Sequence, residues 1–221
     1  MPGIAMETIA ELQQRIAQFN PVYMQHWSDW LNTPSQLRPH ELKLTLGRWQ
    51  ACRGNPMRHL ATIGTAVHPA PYIDDLFAQA LPYVQILSRF DMAVENSFNP
   101  RTIQALHELW NTFERLSYER NNPNRKKRAP RQGLAGVVGI SKAVMLVTNG
   151  RVGPAFDSKV RDELQLKGKI ESAGDWIEAL HAAAIDISTF EKNNKTTLQL
   201  ASGIDLPAGR IHDMALGPKK V

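Results

Sequence analysis

The chain has 221 residues, 43% of them hydrophobic and 21% charged, the size and balance of a globular protein with a sizeable core. No apolar run approaches the ~20 residues that cross a bilayer. No cationic start followed by an apolar core marks a secretory leader, so the expected setting is cytoplasmic, with no membrane partner. The net charge of +5 is local: Arg120, Arg125, Lys126, Lys127, Arg128 and Arg131 form a run without an acid, and the rest of the chain is close to neutral.

Taken in order, the elements read as helices and the expected fold class is all-α. Ile9, Leu12, Ile16 and Phe19 recur at helical spacing until Asn20-Pro21 interrupts them. Residues 22–31 place Tyr23, Trp27, Trp30 and Leu31 on a short amphipathic helix. Pro39 suits a first helical position ahead of Leu42, Leu44, Leu46 and Trp49, and that helix is expected to fade near Gly54-Asn55-Pro56. Residues 55–71 read as a Pro/Gly connector. Residues 72–90 are helical again, with Asp74-Asp75 at the start, where the helix dipole favours acids. Pro82 is expected to kink or break it.

Asn99-Pro100 is a strong start signal for a stripe of Ile103, Leu106, Trp110, Phe113 and Leu116, expected to run out at Asn121. The cationic run leads into Gly133–Gly139 and then an apolar helix. Asp157 stands where the next helix begins. Ser172 with Asp175 resembles a capping box ahead of Trp176, Leu180, Ala183, Ala184 and Ile187. A last short helix is expected over Arg210–Leu216, with Lys219-Lys220-Val221 as a loose tail. No β-alternation and no repeat appear. Residues 1–95 read as an N-terminal helical region, either part of the same fold or a separate cap. Residues 96–221 carry the basic segment, the hairpin and the aspartate. Most of the tryptophans at 27, 30, 49, 110 and 176 fall on apolar stripes and are expected in the core.

Cofactor chemistry finds no support in composition. Cys52 is the single cysteine, which excludes an internal disulfide, a four-cysteine zinc site and an iron–sulfur cluster held within one chain. No two of the seven histidines stand at i,i+4 ligand spacing. No cofactor and no metal are expected. Nucleotide loops of the Walker type, the Gly-x-Ser-x-Gly elbow and the dinucleotide fingerprint are all missing.

Two features carry chemistry. Glycines at 136 and 139 allow a tight turn at a helix start, where backbone N–H groups form an anion site. Ser141 and Lys142 follow, with Lys142 expected at the rim. A DNA phosphate held there would be gripped without sequence reading. The adjacent Arg125, Lys126, Lys127, Arg128 and Arg131 would add salt-sensitive backbone affinity. Asp157, after the Gly153-Pro154 break, is expected as a helix N-cap or as a fixed anion that stabilises developing positive charge.

Leu134-Ala135-Gly136-Val137-Val138-Gly139, a helix, and then Asp157 in Phe156-Asp157-Ser158-Lys159-Val160-Arg161 resembles the helix-hairpin-helix superfamily of DNA glycosylases. The matching segment is about 30 residues long. The resemblance implies a diverged, 8-oxoguanine-glycosylase-like fold, a hairpin on the phosphate beside a lesion, and Asp157 supporting cleavage of the N-glycosidic bond. It departs from the pattern in one extra residue between the glycines and in Ala135 at the usual proline. Ser141 stands where bifunctional members carry lysine, and Lys142 lies one step along. The resemblance therefore implies an aspartate-dependent hydrolase more than a Lys142-dependent lyase. A wall for an extruded base would come from Trp110, Tyr118, Phe156 or an N-terminal tryptophan. Two alternatives stand beside this reading: a non-catalytic nucleic-acid-binding module, and a helical interaction protein that docks an acidic protein partner.

Overall fold

A computed structural model describes residues 5–51, 73–116 and 135–220. Among them the regular elements are all helical, and the only β feature is an isolated bridge between Phe19 and Lys219. Among the described residues no helix is long and apolar enough to cross a membrane.

α1 (Ile9–Ala17) starts where the Thr8 side chain accepts from Glu11 N. Asn20-Pro21 does more than interrupt it. Asn20 caps Val22 N, and Pro21 opens α2 (Pro21–Asn32), which buries Trp27 and Trp30. α3 (Arg38–Arg48) carries Pro39 in its first turn and buries Leu42, Thr45 and Leu46. α4 (Ile73–Ile86) contains Pro82 without ending there. The ring is exposed, so the helix continues past the missing hydrogen bond with Ile73, Leu76 and Ala80 packed inward. Asn99 accepts from both Arg101 N and Thr102 N to start α5 (Pro100–Phe113), as Asn-Pro foretold. α5 ends sooner than expected, because Glu114–Leu116 leave the helix.

α6 (Val137–Val147) is buried along all but one of its residues and packs against α3 and α5. A helix apolar all round belongs in the middle of a domain. α7 (Ser158–Glu163) is a short helix. α8 (Ala173–Asn194) opens with the expected capping box, Ser172 and Asp175 exchanging hydrogen bonds, and ends at Lys195 in a left-handed conformation. α9 (Leu198–Ser202) is a single short turn closed by Gly203. α10 (Ala208–Leu216) is buried at every position and touches α1, α7, α8 and α9. One hydrophobic cluster runs from Ala5 to Leu216, drawing on both sides of residue 95, and all five tryptophans lie in it.

The crossing of α10 with the loop after α6 has a specific requirement. A Cβ on Gly209 would stand 2.8 Å from Gly150 O, 2.9 Å from Gly153 N and 3.0 Å from Arg151 O. Backbone lies on backbone there, and only glycine fits.

Lys219 and Lys220, expected in a loose tail with Val221, are held in place, and Val221 lies outside the described residues. Lys220 N donates to Gln18 O, Asn20 N donates to Pro218 O, and Lys219 Nζ donates to Arg15 O and Ala215 O. Burial, with the charges of Lys159 and Arg15 and against that of Glu163, pushes the Lys219 amine down to about 8.

Gly209→Ala is therefore expected to lower stability by about 2 kcal/mol through overpacking, although alanine suits a helix better than glycine by about 1 kcal/mol. Gly174→Ala, whose Cβ would meet nothing closer than Ser172 Oγ at 3.6 Å, is the control, and urea denaturation compares them. Lys219 supplies a second expectation. Between about pH 8 and the ordinary lysine value the folded state holds fewer protons than the unfolded one, so stability rises with pH across that window. Denaturation midpoints of Lys219→Met should lack the rise.

Candidate functional site

The surroundings of Asp157 are built around a buried ion pair. Arg210 and Asp213, one turn apart on α10, form a salt bridge with both side chains almost wholly enclosed. The Arg210 guanidinium carbon lies 4.5 Å from the Trp27 ring centre, 5.3 Å from Phe19 and 5.8 Å from Trp49. Those ring faces supply negative potential where water is missing. Burial pulls Arg210 below its ordinary value and pushes Asp213 above its own, and each partner pulls the other back.

Asp213 also fixes the chain leading to Asp157. Its Oδ1 accepts from Ala155 N at 2.9 Å, and Ala155 O accepts from Asp157 N at 2.9 Å. Ser141, buried on α6, accepts from Phe156 N at 3.0 Å and donates to Val137 O at 2.6 Å. The segment 155–157 is thus held from α10 on one side and α6 on the other. Asp157 is the N-cap of α7, and its Oδ1 accepts from Val160 N at 3.0 Å. The side chain is only partly buried.

Gly136 is the N-cap residue of α6, and Gly139 already lies in its first turn, with its N–H bonded to Gly136 O at 2.9 Å. The helix begins before the second glycine, so Val137–Gly139 of the expected hairpin belong to α6, while Gly133 and Leu134 lie outside the described residues. Ala135 N donates to Glu114 O at 2.8 Å and ties the entry of α6 to the end of α5. Lys142 is not at the rim. It is buried on α6, and its Nζ donates to Trp49 O at 2.9 Å. Its charge also acts on Asp213. Of the expected walls, Phe156 is fully enclosed, and Trp110 is buried against Trp176 with ring centres 5.8 Å apart. Tyr118 and the cations Arg125, Lys126, Lys127, Arg128 and Arg131 lie outside the described residues. Among the described residues no group of His, Cys, Asp or Glu could hold a metal ion.

Sequence reasoning missed five residues. Arg210 and Asp213 were legible only as polar residues in a helix between Pro207 and Gly217. Asp186 and His212 form a second buried pair, 2.8 Å apart, with Asp186 Oδ1 accepting from Ala5 N at 2.7 Å. Tyr23, read only as part of an amphipathic stripe, packs with two of the rings around Arg210, its centre 6.0 Å from that of Phe19 and 5.9 Å from that of Trp49. Burial pushes its phenol up, and the carboxylates of Asp157 and then Asp213 push it the same way.

No family model, no curated protein and no solved structure matches the chain.

Breaking the Arg210–Asp213 pair should cost more than deleting it. Asp213→Asn leaves a buried guanidinium short of its counter-charge and is expected to lose about 3–5 kcal/mol. The double variant Arg210→Met, Asp213→Leu should recover a large part of that loss. A double-mutant cycle in urea reads the difference.

Proposed function

We propose that the chain binds DNA and hydrolyses the N-glycosidic bond of a modified or damaged base, with Asp157 as the carboxylate that acts on the sugar. The observation that carries the reading is the setting of Asp157. One oxygen is spent on the α7 cap, the side chain is partly exposed, and the backbone on its N-terminal side is clamped by Asp213 and Ser141. Cleavage of a base–sugar bond builds positive charge on the sugar, and a carboxylate fixed in advance stabilises it without reorganising. The clamp through Ser141 joins that carboxylate to α6, which follows the six-cation run in sequence.

The cap bond itself favours a second reading, a non-catalytic nucleic-acid-binding module in which Asp157 only starts α7. One substitution separates the two. Asparagine caps a helix about as well as aspartate, so Asp157→Asn keeps the local structure and removes the charge. Base release from a panel of lesion-bearing duplexes is expected to fall about 10²–10³-fold, with duplex affinity unchanged. Equal turnover by both proteins on a cleaved substrate removes Asp157 from the chemistry. Salt-dependent binding without release from any duplex leaves the binding module, and no gel shift at moderate salt removes both readings in favour of a helical protein that docks an acidic partner.

A further inference from the structure

A cavity of about 430 Å³ lies between the end of α4 and the start of α5, and no residue of the Asp157 site lines it. Its charged lining is Arg89, on the 3-10 turn Leu87–Arg89 that continues α4, and Arg101, in the first turn of α5. No acid lines it. Both arginines are exposed, and neither side chain makes a hydrogen bond or ion pair with a described residue. The acids nearest in sequence are turned to other work or stand outside: Asp91 accepts from Ala93 N at 2.9 Å, and neither it nor Glu95 reaches the cavity. A first helical turn favours acids. α5 has none there and carries Arg101 instead, so two like charges share one concavity without a counter-charge.

The walls are fixed by the protein itself. Asn99 Oδ1 accepts from Arg101 N and from Thr102 N, both at 3.1 Å, so the helix end is already satisfied and the site is made by side chains. Thr102 Oγ1 bonds to Ser97 O and, at 2.9 Å, to Asn99 O. Ser97 Oγ accepts from Asp91 N at 3.2 Å and keeps its own proton to give. Ser88, which also lines the cavity, has a hydroxyl with no partner among the described residues. A concavity built before its ligand arrives loses little freedom on binding.

We propose that this cavity binds a phosphate monoester as its dianion, with Arg89 and Arg101 on the phosphate oxygens and the Ser88 and Ser97 hydroxyls as further donors. One arginine satisfies a carboxylate with its two parallel N–H groups. Two arginines and two hydroxyls suit an anion with two charges and more acceptor atoms. A monoester has both, and a backbone diester carries a single charge. The site is independent of the Asp157 reading, and none of its tests involves base release.

Inorganic phosphate is the first probe, titrated into the full isotope-labelled chain and followed through its amide resonances. Saturable shifts are expected at Ser88, Arg89, Ser97 and Arg101. The double variant Arg89→Gln, Arg101→Gln should keep the wild-type melting temperature, since neither side chain holds the fold, and should bind about 10-fold more weakly or worse. The control Lys167→Gln, Lys192→Gln removes two exposed cations elsewhere and should bind as wild type does. Shifts that do not saturate, or an equal loss in the control, overturn the proposal in favour of diffuse attraction. Dimethyl phosphate, a diester with one charge, should bind about 10-fold more weakly than phosphate, and equal binding overturns the monoester. The source is read with a deoxynucleoside 5′-monophosphate and with one DNA duplex bearing or lacking a 5′-phosphate. Tighter binding of the mononucleotide than of phosphate, lost in the Arg89/Arg101 variant, supports a free nucleotide. A gain in duplex affinity from the 5′-phosphate, lost in the same variant, supports a strand end. If neither is seen, the cavity holds an adventitious ion only and the proposal falls.

Discussion

An arginine with its charge intact, enclosed by three aromatic rings and one carboxylate, is the constraint on which the rest of this structure depends. An isolated buried charge costs several kcal/mol, so Arg210 requires Asp213 and the ring faces of Phe19, Trp27 and Trp49 together. Those rings come from α2 and from the turns that follow α1 and α3, and the ion pair comes from α10. The two parts of the chain therefore complete one another electrostatically as well as by apolar packing. The same carboxylate that neutralises Arg210 holds Ala155, which places Asp157 at a fixed offset from the pair. Removing Asp213 would uncover a charge and release the candidate site in one step.

The middle of the fold is α6, and its few polar atoms are all employed. Ser141 joins α6 to Phe156, and Lys142 reaches the Trp49 carbonyl. Asn149, just beyond the helix, accepts from Trp30 Nε1 and from Arg38 Nη1, both at 3.1 Å. A helix without a solvent face has to spend its polar groups on neighbours, and here they are spent on α2, α3 and the approach to α7.

Much of this was legible locally. Asn99-Pro100, Ser172 with Asp175, and Asp157 after Gly153-Pro154 announced helix starts, because capping is decided within four residues. The all-helical class followed from apolar spacing. Pro82 was read as a kink or break because a proline's local cost is visible and the tertiary packing that offsets it is not. Lys142 was placed at the rim because lysine is seldom enclosed. What enclosed it was the Trp49 carbonyl, 93 residues away in sequence. The rings that enclose the Arg210–Asp213 pair stand about 160 to 190 positions earlier in the chain, and no window of neighbouring residues contains both. Asp157 was singled out by its local setting. Its neighbours came only with the fold.

The bonds made by Lys219 and Lys220 set the order in which the fold can close. Lys220 pairs with Gln18, Lys219 reaches Arg15, and Ala5 is held by Asp186. These contacts join segments some 180 to 200 positions apart. Closure of so long a loop is slow relative to forming local helices. In a refolding chain the rings of Phe19, Trp27 and Trp49 therefore stay uncovered until α10 packs Arg210 against them.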